Sequence, residues 1–216
     1  MPTTVSSLFA AAGLEYGGCV CWGETMRTTA NGIYLISLSK NPDSIDEAMD
    51  RPEISETALM SWLEASPGLS VDKEPASLEK IIDRLEKCWL ADEVVLYIGK
   101  ATSLKSRLAQ LYDMSLGDRR PNAGGYLLKT LANLNHLHLH YAVTARPDLV
   151  EAVMLKTFIE NVSPESREKL ADPTMPVPFA NLELNQKQKK KHGFSAARIP
   201  ARVAVASEDD DEDDDE

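Results

Sequence analysis

Apolar positions along the chain follow two rhythms, and the switches between them set the expected elements. The continuous run Ile33 to Leu38 (IYLISL) follows the turn-prone pair Asn31-Gly32 and reads as a buried strand. Val94 to Gly99 (VVLYIG) has the same character. Leu137 to Val143 alternates instead, with Leu137, Leu139, Tyr141 and Val143 on one face of a third strand. Helical spacing governs most of the rest. Ser55 to Glu64 lines up Ala58, Leu59, Trp62 and Leu63, and Ser77 to Trp89 gives a stripe of Leu78, Ile81, Ile82, Leu85 and Trp89. Thr102 or Ser103 caps a helix carrying Leu104, Leu108 and Leu111. Tyr126 to Leu134 also reads as helical, and a last helix runs from Asp148 to about Val162.

Breakers divide these segments. Pro52, Pro67-Gly68 and Pro75 punctuate the region after the first strand, and residues 121–125 (PNAGG) form a loop. Pro176 to Asn181 (PVPFAN) is expected to close the compact part. The predicted organisation is a lead-in at 1–31 and a domain at 32–182 with a helical insert at about 40–92. A basic segment at 183–206 and a disordered acidic tail at 207–216 follow. Three strands mixed with helices predict an α+β fold around a small three-stranded antiparallel sheet flanked by helices.

Charge changes the picture because it is segregated. The formal total is −11, and removing the nine acids of 208–216 leaves −2 for the remaining chain. From Tyr97 to Arg146 there are seven Lys and Arg (Lys100, Lys105, Arg107, Arg119, Arg120, Lys129, Arg146) against Asp113 and Asp118. A basic half of this kind suits an anionic partner. Six further basic residues lie between Lys187 and Arg202. The acidic tail reads as a solubilising end, as an interaction surface, or as a competitor that folds over this basic segment.

Three cysteines, Cys19, Cys21 and Cys88, make no disulfide framework in a chain of 216 residues and are expected to be buried or inert. His136, His138 and His140 fall on alternate positions of the third strand. They read as a solvated or phosphate-facing surface, with zinc ligation as the alternative. No basic leader precedes an apolar core at the N-terminus, and no apolar run approaches 18 residues. A soluble, cytoplasmic protein without a membrane partner is expected; oligomeric state is left open.

The candidate chemistry lies in six positions. Tyr34 and Tyr97 on neighbouring strands bring two phenols together, able to orient or deprotonate a water; ordinary strand tyrosines are the alternative. Lys100 follows the end of its strand, and Arg107 borders the buried stripe of its helix, where its fork suits phosphate oxygens. Glu151 shares a helical face with Leu155, Phe158, Ile159 and Val162, although Asp148 to Glu151 also spells a capping box. Asn181 ends the segment Pro178-Phe179-Ala180-Asn181.

In this order, Gly32-Ile33-Tyr34, Tyr97-Ile98-Gly99, Lys100, Arg107, Glu151 and Asn181 resemble the GIY-YIG nuclease family over about 150 residues. The resemblance implies a three-stranded antiparallel sheet packed by helices and a metal-dependent endonuclease acting on nucleic acid, DNA more readily than RNA. It implies catalytic roles for Tyr34, Tyr97, Lys100, Arg107 and Glu151, with Glu151 holding Mg²⁺ or Mn²⁺. Lys105, Arg119, Arg120, Asn122, Lys129 and Asn181 are the candidate nucleic-acid-binding residues; Asn181 also matches an asparagine that buttresses the family's site. Family tyrosines often lie about ten residues apart, whereas Tyr97 is 63 positions after Tyr34, a lengthening that costs only about 1.6 kcal/mol in loop closure. Leu111 stands where many relatives carry a histidine or tyrosine, and Tyr112 is one step round the helix. A non-catalytic nucleic-acid-binding or regulatory protein on the same scaffold is the alternative.

Overall fold

In the computed structural model, which describes residues 2–118, 125–185 and 187–196, the chain opens with α1 (Val5–Ala11), β1 (Gly18–Cys21) and β2 (Gly32–Ser37). An inserted region then supplies α2 (Glu56–Ala65), β3 (Leu69–Val71), β4 (Glu74–Pro75) and α3 (Leu78–Glu86). Next come β5 (Val95–Ala101), α4 (Leu104–Asp113), two 3₁₀ turns at Tyr126–Thr130 and Leu134–His136, and β6 (His138–Val143). The described chain ends with α5 (Pro147–Asn161), α6 (Pro164–Lys169), β7 (Glu183–Asn185), β8 (Gln188–Lys189) and β9 (Phe194–Ala196). Hydroxyls of Ser55, Ser77 and Ser103 each accept from an amide of the helix they precede, satisfying donors that would otherwise lack partners. No helix among the described residues is long and apolar enough to cross a membrane.

The fold is α+β, and its main sheet is antiparallel with strand order β1-β6-β2-β5. This corrects the three strands expected from the sequence. The added strand, Gly18–Cys21, is half-buried at every position, so it offers neither an apolar run nor an alternation. It pairs with β6 from Gly18↔Tyr141 to Cys21↔His138. Together with the buried Val5, Leu8 and Phe9 of α1, it brings the expected lead-in into the core. The helix expected over Tyr126 to Leu134 is replaced by 3₁₀ turns. The cause is tertiary: Leu131 bridges to Ile54, and the Ser55 and Ala132 amides donate to Thr130 O and Glu53 O at 2.8 Å, which pulls the backbone straight.

The insert does not hang free. Its β3 is the centre of a second sheet, order β4-β3-β9, whose outer strand comes from the far end of the chain. Trp62 of α2 lies with its ring centroid 5.4 Å from both Tyr126 and Phe194, joining insert, middle and C-terminal arm. The compact part therefore continues past Asn181, where the sequence suggested it would stop. Lys190, only 4% exposed, donates its ammonium to Phe179 O at 3.1 Å and Pro178 O at 3.3 Å. Residues 197–216, with Arg198, Arg202 and the acidic tail, lie outside the described residues.

One buried acid sets a pH prediction. Glu93, 1% exposed, accepts from the Thr3 amide at 3.0 Å and ties the chain start to the approach of β5. Burial pushes its carboxyl up to about 7. A raised carboxyl favours the folded state fully below its ordinary pKa, and this contribution is lost as pH rises through about 7. Glu93→Gln keeps the neutral form at every pH. Its unfolding free energy relative to wild type is expected to rise by about 2 kcal/mol between pH 5 and pH 8. Denaturant titrations at the two pH values check this, and a pH-independent difference would refute it.

Candidate active site

Pairing of β2 with β5 puts Tyr34 opposite Gly99 and Ile36 opposite Tyr97. Tyr34 and Tyr97 therefore stand two positions apart on one sheet face, with ring centroids 5.7 Å apart. Gly99 is required beneath them. A Cβ there would lie 2.8 Å from Tyr34 Cζ and 2.9 Å from its hydroxyl, and would run into Tyr97 Cε1. Gly32 serves the neighbouring helix: a Cβ would meet Ala142 O at 2.5 Å and Leu104 Cδ1 at 2.7 Å. With no side chain at Gly32, α4 sits close enough for Arg107 Nε to donate to the Tyr34 hydroxyl at 3.3 Å.

The two phenols differ in access. Tyr34 is fully buried, whereas Tyr97 is 5% exposed and lines a cleft of about 900 Å³. Burial raises the pKa of Tyr34, with Arg107 opposing. Burial also raises Tyr97 well above the usual phenol range, reinforced by Tyr34 and opposed by Arg107. The guanidinium is thus the group that makes either phenolate less costly.

Lys100, the next residue along β5 after Gly99, points to the other face of the strand. Its ammonium lies 2.7 Å from Glu151 Oε2 and 2.9 Å from Asp148 Oδ1, both on the first turns of α5. The helix starts at Pro147 after Arg146, which makes no side-chain cap. The Asp148–Glu151 capping box is therefore not formed, and both carboxylates are free to face the cleft. Burial raises the Glu151 pKa against the pull of Lys100, and Asp148 and Glu183 add to the rise. Donating hydrogen bonds to Glu151 and then to Asp148 raises the Lys100 pKa in turn.

Because β5 is the edge strand, the cleft wraps its rim. Arg107 of α4 and Tyr97 enter from one side; Lys100 and Glu151 enter from the other; the arm through Glu183, Lys189 and His192 closes the third. Asn181 holds this edge in place. Its Oδ1 accepts from Ile98 N at 2.9 Å and its Nδ2 donates to Ile98 O at 2.8 Å, mimicking one rung of a missing strand. At 5% exposure, with Oδ1 and Nδ2 each bonded to Ile98, it holds the β5 edge and still lines the cleft.

Other expected contacts also move. Lys129 donates to Tyr112 O at 2.8 Å and sits 5.3 Å over the Trp22 ring, away from the cleft. Lys105 is exposed on α4 but is not part of the cleft wall. Arg119, Arg120 and Asn122 lie outside the described residues. Tyr112 packs edge-on against Trp22 at 5.2 Å, and burial pushes its hydroxyl up to about 12.

The histidines separate as well. His136 belongs to a 3₁₀ turn, whereas His138 and His140 lie in β6 opposite Cys21 and Cys19. His140 is fully buried, with Nε2 2.9 Å from Ser39 O and Nδ1 2.9 Å from the Tyr16 hydroxyl. The carbonyl can only accept, so Nε2 carries the proton and Nδ1 receives the phenol's. Burial lowers the His140 pKa and pushes the Cys19 thiol up to about 11. Both are structural groups here. Among the described residues, no group of three or more His, Cys, Asp or Glu is placed to hold a metal ion alone.

Sequence reasoning missed Asp148 as a partner of Lys100, and Glu183, Lys189 and His192 as cleft residues. The Asp-x-x-Glu spacing was visible but fitted a cap equally well; the arm residues carried no signal except charge. Compared with family models, with curated proteins and with solved structures, the chain finds no match in any of the three. Its functional reading rests on the cleft itself.

Proposed function

We propose that this chain is a metal-dependent endonuclease of the GIY-YIG type, hydrolysing phosphodiester bonds in nucleic acid, DNA before RNA. One observation carries the reading. Tyr97 and Arg107 share a cleft with Glu151 and Lys100, and Tyr34 is tied to Arg107 behind them. The two tripeptides on paired strands, the arginine on the following helix and the acid on α5 agree with the resemblance noted in the sequence.

Glu151 fits Mg²⁺ or Mn²⁺ by its donor chemistry, since such ions use one or two carboxylates and complete their shell with water and phosphate oxygens. Asp148, at the other side of the same ammonium, is the second carboxylate within reach of that position. When bound, the ion supplies charge stabilisation at the phosphate. The chain's own groups do the rest. Tyr97, exposed to the cleft, orients the attacking water, and Arg107, bonded to the Tyr34 hydroxyl, lowers the penalty for negative charge on the phenol pair. Arg107 and Lys100 oppose charge building on the phosphate oxygens, where fixed cations help most.

A second reading, binding without cleavage, is favoured by one feature: Glu151 and the Tyr34 hydroxyl are both already engaged by internal partners. Supercoiled and branched DNA incubated with the protein and Mg²⁺ or Mn²⁺ separates the two. Nicks or cuts that disappear with EDTA support the nuclease; retention of DNA without cutting under all conditions supports the binder and sinks the nuclease.

A further inference from the structure

We propose that the folded arm after Asn181 is the nucleic-acid grip of this cleft, with Lys187, Lys189 and Lys191 contacting the phosphate backbone beside the scission site. The proposal rests on the nuclease reading for the word scission, but the grip is defined by charge and placement alone. The chain leaves the edge of β5 at Asn181 and runs along the cleft wall as β7. It turns, and then returns as β8 with Glu183 opposite Lys189. The turn is tied rigidly: Asn185 Oδ1 accepts from the Lys187 amide at 2.9 Å and the Gln188 amide at 3.0 Å.

Lys190 then fixes the return. Its ammonium is buried on two carbonyls of the segment that carries Asn181, so its charge serves the fold. The lysines around it face outward. Lys187, Lys189 and Lys191 are all exposed, and among the described residues none forms an ion pair. Beyond them Arg84 anchors the arm by donating to His192 O at 3.1 Å while paired to Asp72 at 2.6 Å. Three exposed cations, of which Lys191 lies near the Asp172 carboxylate, sit on a segment clamped at both ends and form a pre-organised surface, which loses little entropy when a polyanion binds. Lys100 of the cleft is paired with Asp148 and Glu151, whereas Lys189 lines the same cleft with no ion pair among the described residues. The exposed acid opposite Lys189, Glu183, is outnumbered by Lys187 and Lys189, which leaves the hairpin positive.

The test uses the full chain and a fluorescein-labelled 30-base-pair duplex, with binding read by anisotropy in EDTA at several salt concentrations. Replacing all three lysines (K187Q, K189Q, K191Q) is expected to lower the slope of log affinity against log salt by about 2–3. Between 50 and 200 mM salt, wild type then loses about 40-fold more affinity than the variant when all three lysines engage. An unchanged salt slope overturns the grip, whatever the cleavage result. Salt-dependent binding that falls in the triple variant, without cleavage by either protein when Mg²⁺ or Mn²⁺ replaces EDTA, upholds the grip and removes the nuclease. No duplex binding by wild type at 50 mM salt overturns both.

Discussion

Glu151→Gln is expected to leave the protein folded while lowering Mn²⁺-dependent cleavage by about 10²–10³-fold, the scale seen when one preorganised stabilising group is removed. Glutamine keeps the volume and can still accept from Lys100, so α5 stays seated against β5 at the 2.7 Å contact. What disappears is the negative charge a divalent ion requires. The same logic fixes the pH dependence. Burial raises the Glu151 pKa, so the ionised form that binds metal is lost at a higher pH than for an exposed carboxylate. Wild-type cleavage and Mn²⁺ affinity by calorimetry should therefore both fall as pH drops towards that raised value, and both should be flat in the variant. Cleavage by the variant within twofold of wild type would remove Glu151 from the mechanism.

The second large effect comes from Gly99→Ala. A methyl group at this position meets both tyrosine rings, and Tyr34 has no free volume into which it can retreat. Overpacking in a filled core costs about 1–3 kcal/mol, and displacement of the hydroxyl from Arg107 adds about 1 kcal/mol. For a chain of this size, a total of about 3 kcal/mol lowers Tm by about 6–12 °C. Activity is expected to fall further than stability, since a shift of about 1 Å in a reacting group can remove about 10²-fold in rate. Thermal scans and cleavage assays below the lowered Tm measure the two separately. A variant as stable and as active as wild type would show that the close approach of the rings to Gly99 has no consequence.

Much of the site was legible in the sequence because its residues serve local structure too. Gly32 and Gly99 end or start apolar runs, Ser103 caps α4, and Arg107 borders a buried leucine stripe; each is a short-range signal. Legibility failed where partners are distant. β1 is four half-buried residues whose meaning depends on β6, and nothing in Gly-Cys-Val-Cys specifies that pairing. For Asn181 the sequence offered no partner, because its bonding to Ile98 spans 83 positions. Lys190 is one of the basic residues counted between Lys187 and Arg202, yet Lys189 and Lys191 beside it are exposed while it is buried, which no period in the sequence announces. The His-x-His pattern misled for the opposite reason: a regular spacing was created by a 3₁₀ turn running into a strand.

The late arrival of β6 shapes how the molecule is made. A ribosome adding about 5–20 residues each second needs roughly 6–24 s to pass from Gly18 to His138, and until then the first strand has no mate. The nascent chain meanwhile displays β2 with only β5 to shelter it, an open margin of the type that recruits holding chaperones or joins with copies of itself. Yield during expression should thus respond to translation speed between β5 and β6, where slower codons would prolong that exposure.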